Sequence, residues 1–220
     1  MSAAPLRWQV LCEAIATALL LIAVVGSGIM AERLSGGNAA LALLANSIAT
    51  GGALFALILT FAPQSGAQMN PVVTLAAAFG GEMPRPTACA YMAAQVAGAI
   101  IGVWLAHAMF ELPILQTGQQ ARTGFGQWLA EAIASFGLLL VIAGSRRHGI
   151  PAVAGAVAAY ITGAYLFTAS TSFANPAVTV ARALSDSFAG IAPGDAPEFI
   201  VAQAAGTILA LPLLRRFAKT

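Results

Sequence analysis

Six apolar runs dominate this chain: Trp8 to Met30, Leu41 to Phe61, Pro86 to Phe110, Phe125 to Gly144, Ile150 to Ala169 and Glu198 to Leu214. Each is close to the roughly 20 residues that a helix needs to cross a bilayer. Only 8% of the chain is Asp, Glu, Lys or Arg, against about 25% in an ordinary soluble domain. In hydrocarbon a backbone N–H or C=O finds no water, so each run must close its own hydrogen bonds as a helix. The sequence therefore predicts an all-α membrane protein with six transmembrane helices, residues 1–220 forming one domain. The run after Arg7 is too long for a cleaved leader and reads as the first span. Cys12 and Cys89 lie inside apolar runs and read as small core side chains, not as a disulfide.

Two more apolar segments, Val72 to Phe79 and Val178 to Leu184, are too short to span anything, at about two turns each. Asn-Pro introduces both, in Asn70-Pro71-Val72 and Asn175-Pro176-Ala177. Asn is a strong N-cap and Pro suits the first helical turn, so each triplet marks a helix start. Small-residue loops precede them, Ser65-Gly66-Ala67-Gln68-Met69 and Ser170-Thr171-Ser172-Phe173-Ala174. Irregular backbone at membrane depth is tolerated only inside protein or beside a water-filled path. Two re-entrant half-helices around a pore follow.

The two halves repeat. Glu13-Ala-Ile-Ala is matched by Glu131-Ala-Ile-Ala, and the segment from Gln95 by that from Gln203, with offsets of 118 and 108 beside 105 for the Asn pair. Repeat 1 covers about 8–110 and repeat 2 about 125–216. Three spans per unit is an odd number, so the second copy is inverted in the membrane. Gly98 and Gly102, like Gly206 and Ala210, stand four apart and permit close helix contact.

Basic loop residues set the orientation. With a cytoplasmic N-terminus, Arg7, Arg85, Arg146, Arg147, Arg215, Arg216 and Lys219 lie inside, and Arg33, Arg122 and Arg182 lie outside with Glu32, Glu111, Asp186, Asp195 and Glu198. Both termini are then cytoplasmic. A net charge of +2 gives no footprint for nucleic acid.

The six spans, the Glu-led first helix of each half, the Gln95 segment and the paired Asn-Pro motifs together resemble the aquaporin, or major intrinsic protein, family over nearly the whole chain. The resemblance implies a pore in each subunit of a homotetramer, passing water or small uncharged solutes through a bacterial inner membrane. Each half-helix start would present roughly half a positive charge. At about 5 Å and an effective dielectric of about 20, that raises a passing cation by roughly 1.7 kcal/mol. Asn70 and Asn175 would donate amide hydrogens to the solute as well as cap their helices. Glu13 and Glu131 would support the loops by accepting their hydrogen bonds, with Gln95 and Gln203 as interhelical partners.

The family's narrow point, counted from the motifs, falls on Thr50, Gly163, Ser172 and Val178. Most relatives carry an arginine at the last position and a bulky aromatic at the first. Four small side chains imply a wide constriction, open to polyols such as glycerol and to neutral metalloid hydroxides such as arsenous acid. Relatives lacking that arginine and carrying Asn-Pro-Val resemble members associated with arsenic detoxification. Arg182, four residues beyond Val178, either lines the outer vestibule or pairs with Asp186. Gln68 keeps a donor at the inner mouth. His107 and His148 read as surface or interface residues, and no spacing points to a metal or a cofactor. No nucleophile, base and orienting group stand together, so an enzyme is not indicated. The alternatives are a water-selective pore, a gradient-coupled secondary transporter and a non-conducting membrane scaffold.

Overall fold

The computed structural model describes residues 4–217, and among them only helices, turns and loops form. Lys219, counted above with the inner basic residues, lies outside the described residues. The helices are α1 (Leu6–Leu34), α2 (Ala39–Ser65), α3 (Pro71–Phe79), α4 (Arg85–Met109), α5 (Phe125–Ser145), α6 (Ile150–Phe167), α7 (Pro176–Arg182) and α8 (Ala196–Phe217). Six of them are long and apolar enough to cross a membrane; α3 and α7 are the half-helices. Asn70 and Asn175 cap these two by accepting N–H bonds from Val72 at 3.0 Å and from Ala177 at 3.0 Å, with Pro in the first turn of each helix.

Helix α1 packs on α2 and α4, and α5 packs on α6 and α8, which is the same arrangement made twice. Contact between α2 and α6 joins the two units. Glycine permits the tightest crossing in each: a Cβ on Gly98 would run into the Ala14 carbonyl, and one on Gly206 into the equivalent Ala132 carbonyl. These helices therefore meet backbone to backbone.

Apolar side chains fill most of the interior and also cover the outside, with a polar set locked between the helices. Glu13, Thr17, Gln95, Glu131, Gln203 and Thr207 are fully buried, while Leu11, Ile15 and Leu19 form an exposed stripe along α1. That distribution suits a lipid surround, where exposed apolar side chains cost nothing and buried polar groups must find one another.

His107 and Cys89 sit otherwise than the sequence predicts. His107 is buried, its Nδ1 2.9 Å from the Ile114 oxygen and its Nε2 2.9 Å from Ser185 Oγ. The segment after α4 folds back over the helix end and covers the ring. Cys89 is exposed on the outer face of α4 instead of in the core, whereas Cys12 is buried.

Candidate functional site

The two asparagines are tied across the molecule. Asn70 Nδ2 donates to the Ala174 oxygen at 2.8 Å, and Asn175 Nδ2 donates to the Met69 oxygen at 2.8 Å. Each therefore bonds the residue that precedes the other. An Asn amide carries two N–H donors. Capping uses the oxygen and the crossed bond uses one N–H, which leaves the second N–H outside both bonds. Both residues line one continuous cavity.

The loops before them hold a backbone that few side chains choose. Ala67 and Met69 in the first loop, and Thr171, Ser172 and Ala174 in the second, all have positive φ between 47° and 61°. Such residues persist only when their surroundings over-determine them. Here the surroundings are Glu13 and Glu131. Glu13 accepts from Ser65 Oγ (2.6 Å), Gln68 N (3.0 Å), Met69 N (2.7 Å) and Gln95 Nε2 (2.8 Å). Glu131 accepts from Ser170 Oγ (2.5 Å), Phe173 N (2.8 Å), Ala174 N (2.8 Å) and Gln203 Nε2 (2.6 Å). Each glutamine also donates to the half-helix threonine, Gln95 to Thr74 and Gln203 to Thr179. All the carboxylate oxygens are thereby engaged, as a buried carboxylate requires.

The cavity has a volume of about 430 Å³. One side is apolar, built from stripes four residues apart: Leu54, Ile58 and Ala62 on α2, and Val153, Val157 and Ile161 on α6. The other side is the two loops, with Gly66, Ala67, Gln68, Asn70, Ser172 and Asn175. At the α7 end, Thr50, Tyr165, Ser172 and Val178 share the wall. Gly163 does not. It stands two residues from both Ile161 and Tyr165, on the opposite side of α6, and a Cβ there would meet the Phe167 ring. Counting back twelve from Asn175 runs two residues past the wall position, which Tyr165 takes. The wall beside Thr50, Ser172 and Val178 thus carries the Tyr165 ring, where the motif count places Gly163 and a fourth small side chain. Tyr165 OH lies 3.3 Å from Thr50 Oγ1, while Ser172 Oγ has no protein partner.

Arg182 is 1% exposed and also lines the cavity. It makes no ion pair with Asp186, contrary to the alternative its spacing offered. Its Nε donates to the Ala189 oxygen, and its Cζ lies 3.4 Å from the centroid of the Phe173 ring. At the other mouth Arg146 pairs with Glu82 at 2.5 Å, joining the end of α5 to the turn after α3. Among the described residues, no group of His, Cys, Asp and Glu is arranged to hold a metal.

Six spanning helices, two capped half-helices meeting through their asparagines and a cavity along the join define a membrane channel of the major intrinsic protein type. The chain belongs to this family: the family model described as "Major intrinsic protein" matches residues 1–169. It is similar to the aquaglyceroporin AqpS of Rhizobium meliloti (strain 1021), 50% identical over 203 residues, which are 92% of this chain and 87% of the relative. The fold is also that of the aquaglyceroporin from Plasmodium falciparum, with a TM-score of 0.72 and 19% identity, covering 98% of this chain and 97% of that one. Members of this family are channels and not enzymes.

Proposed function

We propose that the protein is a passive channel for small uncharged solutes: glycerol-sized polyols and neutral metalloid hydroxides such as arsenous acid, with water. One observation carries this reading, the two-faced cavity wall. Stripes of Leu, Ile and Val on α2 and α6 face a line of loop backbone and asparagine amides. A polyol has the same two faces, carbon on one side and hydroxyls on the other. It can exchange water for the loop groups without leaving its CH groups against polar atoms. A metalloid hydroxide presents three hydroxyls around a soft centre and fits by the same division. The similarity to an aquaglyceroporin supports this class.

Thr50, Tyr165, Ser172 and Val178 form the selecting constriction in this reading. Val178 supplies an apolar contact where an arginine would supply charge and bulk, and Ser172 Oγ is free to bond a solute oxygen. Pro71, Val72, Pro176 and Ala177 start the half-helices that hold the asparagines in place. The chain sits in a bacterial inner membrane with both termini cytoplasmic, in keeping with its basic loop residues, and it assembles as a homotetramer with one path per subunit. The mouth at Arg182 is then the outer one.

Stopped-flow light scattering on proteoliposomes, with water, glycerol and arsenous acid, tests the reading. Wild type is expected to pass all three, and Val178→Arg to lose glycerol and arsenous acid while keeping water. Fast water with no solute entry in the wild type would leave a water-selective pore. Saturable, gradient-coupled uptake would point to a transporter, and no flux from folded protein to a scaffold.

A further inference from the structure

The half-helices align residue for residue: Val73 with Val178, Thr74 with Thr179 and Ala77 with Arg182. The threonines keep the symmetry in three dimensions, each donating to its asparagine's backbone oxygen and receiving a glutamine N–H. The last pair breaks it. Ala77 packs in the interior, whereas its counterpart is a buried guanidinium. The cavity wall thus carries two cations, Arg146 and Arg182, but only Arg146 is in direct contact with a carboxylate.

A buried arginine outside a direct ion pair, with Glu131 acting on it only at longer range, is expensive unless the charge is used. The contacts of Arg182 hold it in place while leaving Nη1 unpaired. Nε donates to the Ala189 oxygen and Cζ lies over the Phe173 ring. Phe173 is itself held, by the edge of Phe199 with centroids 5.2 Å apart and by Arg122 at 5.2 Å. Nη1 is buried and has no protein partner, on a residue that lines the cavity. Arg122, the other guanidinium near Phe173, is spent: it donates to the oxygens of Gly190 (2.8 Å), Ser170 (3.3 Å) and Phe188 (3.3 Å).

We propose that Arg182 is the selecting cation of the outer constriction, set one helical turn outside Val178, where the charge is missing. Its Nη1 donates to an acceptor oxygen of the arriving neutral solute, and its fixed charge turns cations away before they reach the asparagines. A unit charge about 5 Å from the path, at an effective dielectric of about 20, disfavours a cation on the order of a hundredfold. The solutes favoured are neutral molecules that expose a hydroxyl or oxo oxygen on one side and a face without donors to Val178 on the other. This role rests on the channel reading above.

Arg182→Gln and Arg182→Lys, reconstituted beside wild type, test it, with water permeability showing that each variant has folded. Glycerol flux of the wild type tests the channel itself; the comparison among variants tests Arg182. Arg182→Gln is expected to raise potassium leak by about tenfold or more, and Arg182→Lys, which keeps the charge, to stay within about twofold of wild type. Lysine lacks the planar fork, so its glycerol-to-urea permeability ratio is expected to shift by about threefold or more. A water-conducting Arg182→Gln that holds potassium as tightly as wild type overturns the proposal. If Arg182→Gln does not conduct water, Arg182→Lys decides: a shifted ratio at wild-type potassium leak supports the proposal, and an unchanged ratio overturns it.

Discussion

Thr50 on α2 and Tyr165 on α6 bring their hydroxyls within 3.3 Å of each other on the wall of the cavity. This contact joins the two repeats, because α2 belongs to the first and α6 to the second. In the channel reading proposed above, it holds an aromatic ring at the selecting constriction by a hydroxyl on another helix.

Truncating that ring should widen the path. Tyr165→Ala is expected to raise the permeability of a four-carbon polyol by about tenfold, since one or two carbon groups at a constriction are worth about 1–3 kcal/mol. Gly163→Ala should leave it unchanged, its new methyl meeting only the Phe167 ring at 3.5 Å. Stopped-flow measurements with erythritol distinguish the two positions. An effect at Gly163 and none at Tyr165 would restore the motif-counted register.

Glu13→Gln should unfold the first loop. The carboxylate accepts four hydrogen bonds from three segments of chain, and an amide offers only one acceptor atom while pushing two N–H groups at donors. A loss of about 2–5 kcal/mol is expected. A clear fall in the unfolding temperature in detergent checks this, and Glu131→Gln should match it. An unchanged transition would mean that the loop keeps its shape without the carboxylate.

Glycines on the same bundle should differ sharply in tolerance. Gly98→Ala drives a methyl into the Ala14 carbonyl and must separate α1 from α4, at a cost of about 1–3 kcal/mol or more. Gly52→Ala meets no atom within 4 Å and should change nothing, or add slightly to helix stability. Yield of monodisperse protein and its thermal midpoint give the comparison.

Asn175→Asp should damage conduction more than folding. The aspartate can still cap α7 through its oxygen, but it loses the N–H that reaches Met69 and the second N–H that the proposed channel offers to a solute. Glycerol permeability is expected to drop by about tenfold or more, as the Met69 oxygen goes unpaired and a charge enters the path. Retained wild-type flux would show that the amide is a cap and nothing else.

Much of this was legible because it was written twice. Glu13 and Glu131, Gln95 and Gln203, and Asn70 and Asn175 occupy matching places in two copies of one unit, so each vouches for the other's structural role. What was not legible has three physical causes. Non-glycine residues at positive φ, such as Met69 and Ala174, carry no compositional mark. Tyr165 was missed because counting from a motif assumes a fixed loop length, whereas the stripe Val153, Val157, Ile161, Tyr165 at intervals of four was in the sequence all along. His107 was misplaced because its burial comes from a loop folding back, which local pattern does not encode.

The crossed asparagine bonds also bear on how the chain is made. Asn70 waits for an oxygen 104 residues further on, and Met69 for an amide 106 residues away. When the ribosome has delivered only the first repeat, the wall formed by the second loop does not exist. The path through the membrane is therefore complete only once the last quarter of the protein has been inserted and docked.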